Sequence, residues 1–235
     1  MWVAAFELHS TYTDVFTMLG FPLGAATDAA ALVSWSDSHA LEGVKMLADA
    51  LERLQRTPFS TLQIVSESRT RMHLDARGGS VLEVGVSALD CAQAHERVVS
   101  VCNIHDGAFC AGLGQVAIER GCAINLTWRQ HDQPHQMQVN AHARTLEIIG
   151  GGSDARLGSN DIVLTPGQVV PEVTQPGAFH LSASMLAERA YASLIDGVEV
   201  DDVAWGKVMR IARRILVSES TLSRTAGAGV GADED

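Results

Sequence analysis

The chain has few aromatic residues, 5% in all, and no apolar run near the ~20 residues that a membrane-spanning helix requires. It also lacks a basic excess. Against 28 Asp and Glu stand only 17 Lys and Arg, a formal net charge of -11, so nucleic acid and anionic membrane surfaces, which need a basic footprint, are not expected as partners. A small anionic substrate, steered locally, stays compatible with that charge. The start MWVAAFELHS has neither the charged beginning nor the apolar core of a signal peptide, and a cytoplasmic location is expected. Cysteine is scarce: Cys91, Cys102, Cys110 and Cys122 lie in apolar or helical context without a CxxC pair, which predicts reduced core thiols rather than disulfides. Neither Cys102 nor Cys110 stands at closed zinc-site spacing around His105, and no metal is expected.

With 235 residues, 46% of them hydrophobic, the chain has enough apolar material for a sizeable core. Helical periodicity runs from Phe6 to Leu19, from Ala29 to about Trp35 behind a Thr27-Asp28 cap, and from about Glu42 to Gln55, making residues 1–58 a helical layer. Residues 59–180 then alternate. Strands are predicted at 62–65, 72–75, 98–102, 122–128, 137–139, 145–149 and 161–164, with helices at 87–95 and 111–120 between them. Residues 181–217 return to helix, at 181–194 and 203–216, and are expected to pack back on the N-terminal layer. The Gly-rich acidic stretch 218–235 reads as a flexible tail. This order predicts an α/β (or α+β) fold: a central mixed sheet with a helical layer formed by the N- and C-terminal helices.

Two polar corners interrupt the apolar elements. Ser36-Asp37-Ser38-His39 falls between two amphipathic helices, and His105-Asp106-Gly107-Ala108 joins a buried strand to a helix. Each has two readings: His39 is an acid/base or a histidine held structurally by Asp37, and His105-Asp106 is a binding corner or an Asx-type turn. The GxGxxA run Gly112 to Ala117 lies inside a predicted helix, where small residues serve close packing rather than a dinucleotide fingerprint. Gly150-Gly151-Gly152 reads as a β-turn loop, His131, Asp132 and His135 as a solvated loop, and Trp35 and Trp128 as core.

Asp37-Ser38-His39-Ala40, then Asn103-Ile104-His105-Asp106-Gly107-Ala108 and Glu119-Arg120-Gly121, resemble in order and spacing the motifs of the malate/L-lactate dehydrogenase family. That family is unrelated to the Rossmann lactate dehydrogenases and includes ureidoglycolate and sulfolactate dehydrogenases and cyclic ketimine reductases. The resemblance covers roughly residues 13 to 128. It implies NAD or NADP as cofactor and His39 as the group exchanging a proton with substrate. Ser38 and Asp37 would orient that ring or touch the substrate, and His105, Asp106 and Gly107 would lie along the cofactor. Where the family presents an arginine that clamps the substrate carboxylate, this chain has Gly43, with Lys45 the nearest cation. The N-terminal pattern and the ending Ser223 to Gly229 before an acidic terminus also resemble a shorter bacterial family of unknown function.

Two functions follow. One is an NAD(P)H-dependent oxidoreductase reducing a small 2-keto or cyclic imino acid, with a reduced cofactor site. The other is a non-catalytic binding or accessory protein that keeps the dehydrogenase-like fold. A homodimer is expected for either.

Overall fold

The computed structural model describes residues 1–130, 133–150, 160–167 and 179–215. The predicted tail at 218–235, Gly151-Gly152 and the pair His131-Asp132 lie outside them. Three helices open the chain after the short strand β1 (Trp2–Val3): α1 (Ala5–Met18), α2 (Leu23–Ser38) and α3 (Gly43–Arg56). Strands β2 (Gln63–Glu67) and β3 (Arg71–Asp75) follow, then α4 (Val81–His95), β4 (Val98–Cys102) and α5 (Cys110–Glu119). Next come β5 (Ile124–Gln130), β6 (Gln133–Asn140), β7 (Thr145–Gly150), β8 (Ile162–Pro166) and β9 (Phe179–Leu181). Helix α6 (Ala183–Ile195), strand β10 (Val198–Glu199) and helix α7 (Asp202–Ala212) complete the described chain.

The fold is α/β. Eight strands form one mixed sheet in the order β2-β3-β4-β8-β5-β6-β7-β9. Only β3 and β4 pair in parallel, and α4 makes the crossover between them, as a parallel connection requires. Helices α4 and α5 lie against the sheet, α2 lies over both, and α1 and α7 pack together beyond it. The core between sheet and helices is filled by Leu74, Val99, Val101, Leu126, Met137, Leu146 and Leu164 from the strands, with Leu82, Leu89 and Leu113 from the helices. At the ends of the chain, α7 packs on α1 and α3, and β1 pairs antiparallel with β10. The N-terminal ammonium caps this junction, donating to the Val200 carbonyl at 2.9 Å and the Asp202 carboxylate at 2.6 Å. Among the described residues no helix is long and apolar enough to cross a membrane.

Two helices differ from the sequence reading. The predicted helix 29–35 begins six residues earlier and runs on through Ser38, so Ser36-Asp37-Ser38 is its last turn rather than a connection. Ala26, Ala29, Ala30, Leu32 and Val33 are all buried, and a helix covered on most sides has no polar stripe to mark its phase. The helix predicted at 87–95 starts at Val81, because Ser80 and Glu83 form a capping box: Ser80 Oγ accepts from Leu82 N–H, and Glu83 Oε2 accepts from Ser80 N–H at 2.6 Å.

Candidate active site

The end of α2 is where polar side chains enter the core. Asp37, 8% exposed, accepts from the Tyr12 hydroxyl on α1 at 2.6 Å and from Val44 N–H at 2.8 Å. It therefore serves as a cap for α3 supplied by the neighbouring helix, since Glu42, at the N-cap position, makes no side-chain cap bond. Burial raises the Asp37 pKa to about 6, with the Tyr12 and backbone hydrogen bonds opposing the rise. The Tyr12 phenol, pushed up by burial and then by Asp37, stays protonated and is the donor. A Cβ on Gly43 would come within 2.4 Å of the Val33 carbonyl and 3.0 Å of Asp37 Cγ, so no side chain fits at that position.

His39 follows as the C-cap of α2 and is 3% exposed. Its Nδ1 lies 2.8 Å from the Trp35 carbonyl, one turn back on the same helix. A carbonyl only accepts, so Nδ1 carries the proton and the neutral ring presents a lone pair at Nε2. The imidazole stacks on the Trp35 indole, with ring centroids 4.4 Å apart and planes 21° apart. Burial lowers the His39 pKa, the Trp35 hydrogen bond opposes this, and the Arg189 charge adds to it. Arg189 of α6 also donates to the His39 carbonyl at 2.7 Å, tying that helix to the end of α2. His39 Nε2 and Trp35 Nε1 are both buried without a hydrogen-bond partner among the described residues.

Both rings line a cleft of about 440 Å³. Its other walls are Gln115 and Ile118 of α5, Ala183, Leu186, Ala187 and Ala190 of α6, and Arg144 in the β6–β7 turn. The volume is within the range of small-molecule sites, and a few polar groups on a mostly apolar wall are their usual lining. A buried polar atom without a partner is costly inside a protein, and both of these belong to rings that line the cleft. Ser38 is half-buried on the last turn of α2, whereas Asp37 lines a different cleft with Lys45, Glu199 and the N-terminus.

The His105 corner is built differently. His105 N–H donates to the Gly79 carbonyl, and its carbonyl accepts from Val81 N–H, so the backbone here clamps the start of α4. The Asp106 carboxylate is held by the Arg53 guanidinium of α3 and the Ser80 hydroxyl. A Cβ on Gly107 would meet the Arg129 carbonyl at 2.7 Å and Trp128 at 2.9 Å, which closes that position to anything larger than hydrogen. His105, Asp106 and Gly107 are not among the residues lining the His39 cleft. The sequence marks His39; Trp35 is core, as expected, and also lines the cleft, and nothing local in the sequence marks Gln115, Arg144 or Arg189.

The remaining motifs are structural. Added Cβ atoms would press Gly112 on Leu32 and Gly114 on Leu146 and Met137, so the GxGxxA run is a close helix contact. Trp128 stacks on His135 across β5 and β6. The four cysteines are unpaired, and Cys110 is fully buried with its thiol pKa pushed up by burial. Among the described residues no three His, Cys, Asp or Glu side chains are grouped to hold a metal ion.

This architecture recurs in solved dehydrogenases. A dehydrogenase from Sinorhizobium meliloti superposes with a TM-score of 0.70 at 10% identity, covering 90% of this chain and 99% of that one. Malate dehydrogenase from Pyrococcus horikoshii OT3 gives 0.66 at 12% identity, covering 94% and 97%. Sulfolactate dehydrogenase from Methanocaldococcus jannaschii gives 0.65 at 13%, covering 92% and 97%. The fold is the one these dehydrogenases share. At such identities the likeness is one of fold. Residues 3–80 match the family described as "Protein of unknown function (DUF3726)". A search of curated protein sequences returned no match. The matched segment carries α1, α2, α3, β2 and β3 and ends at Ser80, just before α4, and so includes Trp35, Asp37 and His39.

Proposed function

We propose that the chain is an NAD(P)-dependent oxidoreductase interconverting a small 2-hydroxy acid with its 2-keto acid, or a cyclic imino acid with its reduced form, and that His39 is its acid/base. The observation that carries the reading is the His39 ring: it lines the cleft, with Nδ1–H committed to Trp35 and Nε2 without a partner. The orphaned Trp35 indole N–H beside it is a donor of the kind a carboxamide oxygen accepts, which fits a nicotinamide at this end of the cleft. When bound, that ring takes or supplies the hydride.

The protein's part is proton transfer and exclusion of water. With the substrate hydroxyl at Nε2, the neutral imidazole takes the hydroxyl proton as the C–H bond of the same carbon breaks. In the reverse direction the protonated ring returns it to the carbonyl or imine. The lowered pKa keeps the ring neutral near pH 7, which favours the base role. Asp37 acts at a remove by fixing the α2–α3 junction, and Ser38 lies between the two. Of His105, Asp106 and Gly107 only the His105 imidazole is left to serve as a cofactor edge, since Asp106 and Gly107 are taken up by protein contacts. That commitment favours the second reading, a non-catalytic binding protein on the same fold.

A homodimer belongs to this proposal, because Tyr191, Leu194 and Ile195 form an exposed apolar stripe on α6. The decisive experiment is a turnover screen of 2-hydroxy, 2-keto and cyclic imino acids with both coenzymes, on the wild-type chain and on His39→Gln. Turnover lost in the variant, with unchanged unfolding, supports the oxidoreductase. Equal rates in both, or no turnover by the wild type with any pair, refute it.

A further inference from the structure

Position 43, where a carboxylate clamp would stand one turn past His39, is closed to any side chain by the Val33 carbonyl and Asp37. The neighbouring cations are engaged elsewhere. Lys45 pairs with Glu42 and faces the cleft of the N-terminus, Arg53 holds Asp106, Arg120 holds Asp90, and Arg189 donates to the His39 carbonyl. Among the described residues one cation lines the His39 cleft, and it comes from the far side of the sequence: Arg144, at the end of the β6–β7 turn.

Arg144 stands exposed on the turn with φ 53°, one of seven non-glycine residues that the described chain holds in the left-handed region where glycine or asparagine is favoured. The guanidinium is the planar fork that matches a carboxylate. Among the described residues no acidic side chain lines the cleft to compete for it. The rest of the described lining is Ile118, Leu186 and the alanines of α6, aliphatic carbon interrupted only by Gln115, whose amide already donates to Glu119 at 2.8 Å.

Resting on the proposed oxidoreductase reading, we infer that Arg144 is the carboxylate-binding, specificity-determining residue of this cleft, and that the substrate is a monocarboxylic 2-hydroxy or 2-oxo acid with a branched aliphatic side chain. The carboxylate sits on the guanidinium, the reacting oxygen faces His39, and the aliphatic group lies on the α5–α6 wall. Dicarboxylic acids are disfavoured, because a second charge would be buried against Ile118 and Leu186 without a partner.

The test is calorimetric titration of the full chain, with and without saturating NADH or NADPH. The probes are the 2-oxo acid bearing an isobutyl side chain, its methyl ester, and oxaloacetate. Wild type, Arg144→Gln, Arg144→Gly and His39→Gln are compared. The glycine variant relieves the left-handed strain, so its fold is expected to be at least as stable as wild type. The inference expects the isobutyl acid to bind best, the ester and both Arg144 variants to weaken binding about 10- to 100-fold, and His39→Gln, which loses only the contact to the reacting oxygen, to weaken it less than either Arg144 variant does. Equal binding of the acid to wild type and both Arg144 variants overturns the role of Arg144, and tighter binding of oxaloacetate overturns the aliphatic class. Neither result touches the oxidoreductase reading, which is judged by turnover. Acid binding that needs Arg144 in a protein with no turnover sinks the oxidoreductase reading and keeps the subsite. No binding of any acid by wild type overturns the inference outright.

Discussion

Replacing Asp37 by Asn should make the protein more stable at neutral pH, although Asp37 is buried and doubly hydrogen-bonded. The carboxyl rises from an ordinary 3.8 to about 6 in the folded state, chiefly because burial disfavours its charge. A group with a raised folded pKa binds its proton more tightly in the folded than in the unfolded chain. Its favourable contribution is therefore complete below the unfolded pKa and lost as pH rises through the folded one. Above pH ~6 the ionised carboxylate costs about 3 kcal/mol relative to its neutral form. Asparagine is close to that neutral form in shape. Its carbonyl oxygen still accepts from Val44 N–H, and its amide donates to the Tyr12 oxygen. Allowing for imperfect mimicry, Asp37→Asn should gain about 1–3 kcal/mol near pH 7, an advantage that shrinks toward zero near pH 4. His39 works in the opposite sense. Its folded pKa lies below the ordinary 6.5, so stability from this group falls as pH drops below that value and the unfolded chain takes up the proton first. The assay is urea unfolding of both proteins from pH 4 to 8, taking the difference at each pH so that groups common to both cancel. An Asp37→Asn protein less stable than wild type at pH 7, or a difference that does not vary with pH, would refute the account of this carboxylate.

Three further outcomes are expected. Gly43→Ala should lose about 1–3 kcal/mol by chemical denaturation, since its Cβ would overlap the Val33 carbonyl and force α3 away from α2. Ser80→Ala, which removes the cap of α4 and one partner of Asp106, should lose about 1–2 kcal/mol in the same assay, with Ser80→Thr recovering most of it. For the proposed homodimer, wild type should sediment as a dimer and Leu194→Glu with Ile195→Glu as a folded monomer; a monomeric wild type would refute the dimer, and an unaltered dimer in the variant would refute the α6 interface.

The layered order of the chain was legible because most elements are amphipathic. Helix α3, with Val44, Leu47, Leu51 and Leu54 buried on one face, could hardly be read otherwise. Helix α2 was read short because alanines buried all round leave no period. The early start of α4 was available in the Ser80-Val81-Leu82-Glu83 signature and was overlooked. Two-residue strands such as β1 and β10 have no pattern long enough to detect, and the placing of β8 between β4 and β5 is a long-range choice that local sequence does not encode. The candidate site shows the same division. His39 was visible as a polar residue at the end of an apolar helix. Its cleft was not, because the walls come from α5, α6 and the β6–β7 turn, and Arg189 reaches His39 across 150 residues of sequence. Gly43 reads as a missing side chain in sequence; in the structure it is a close approach of two helices.

If the proposed reading holds, the His39–Trp35 cleft receives a nicotinamide. Calorimetric titration of the purified protein with NADH and NADPH, repeated on Trp35→Phe and His39→Gln, tests it most directly. The account predicts saturable binding of one coenzyme by wild type, weakened in Trp35→Phe, where the indole N–H is lost and the ring stack is kept. Absence of binding with both coenzymes, or binding untouched by either substitution, would contradict it.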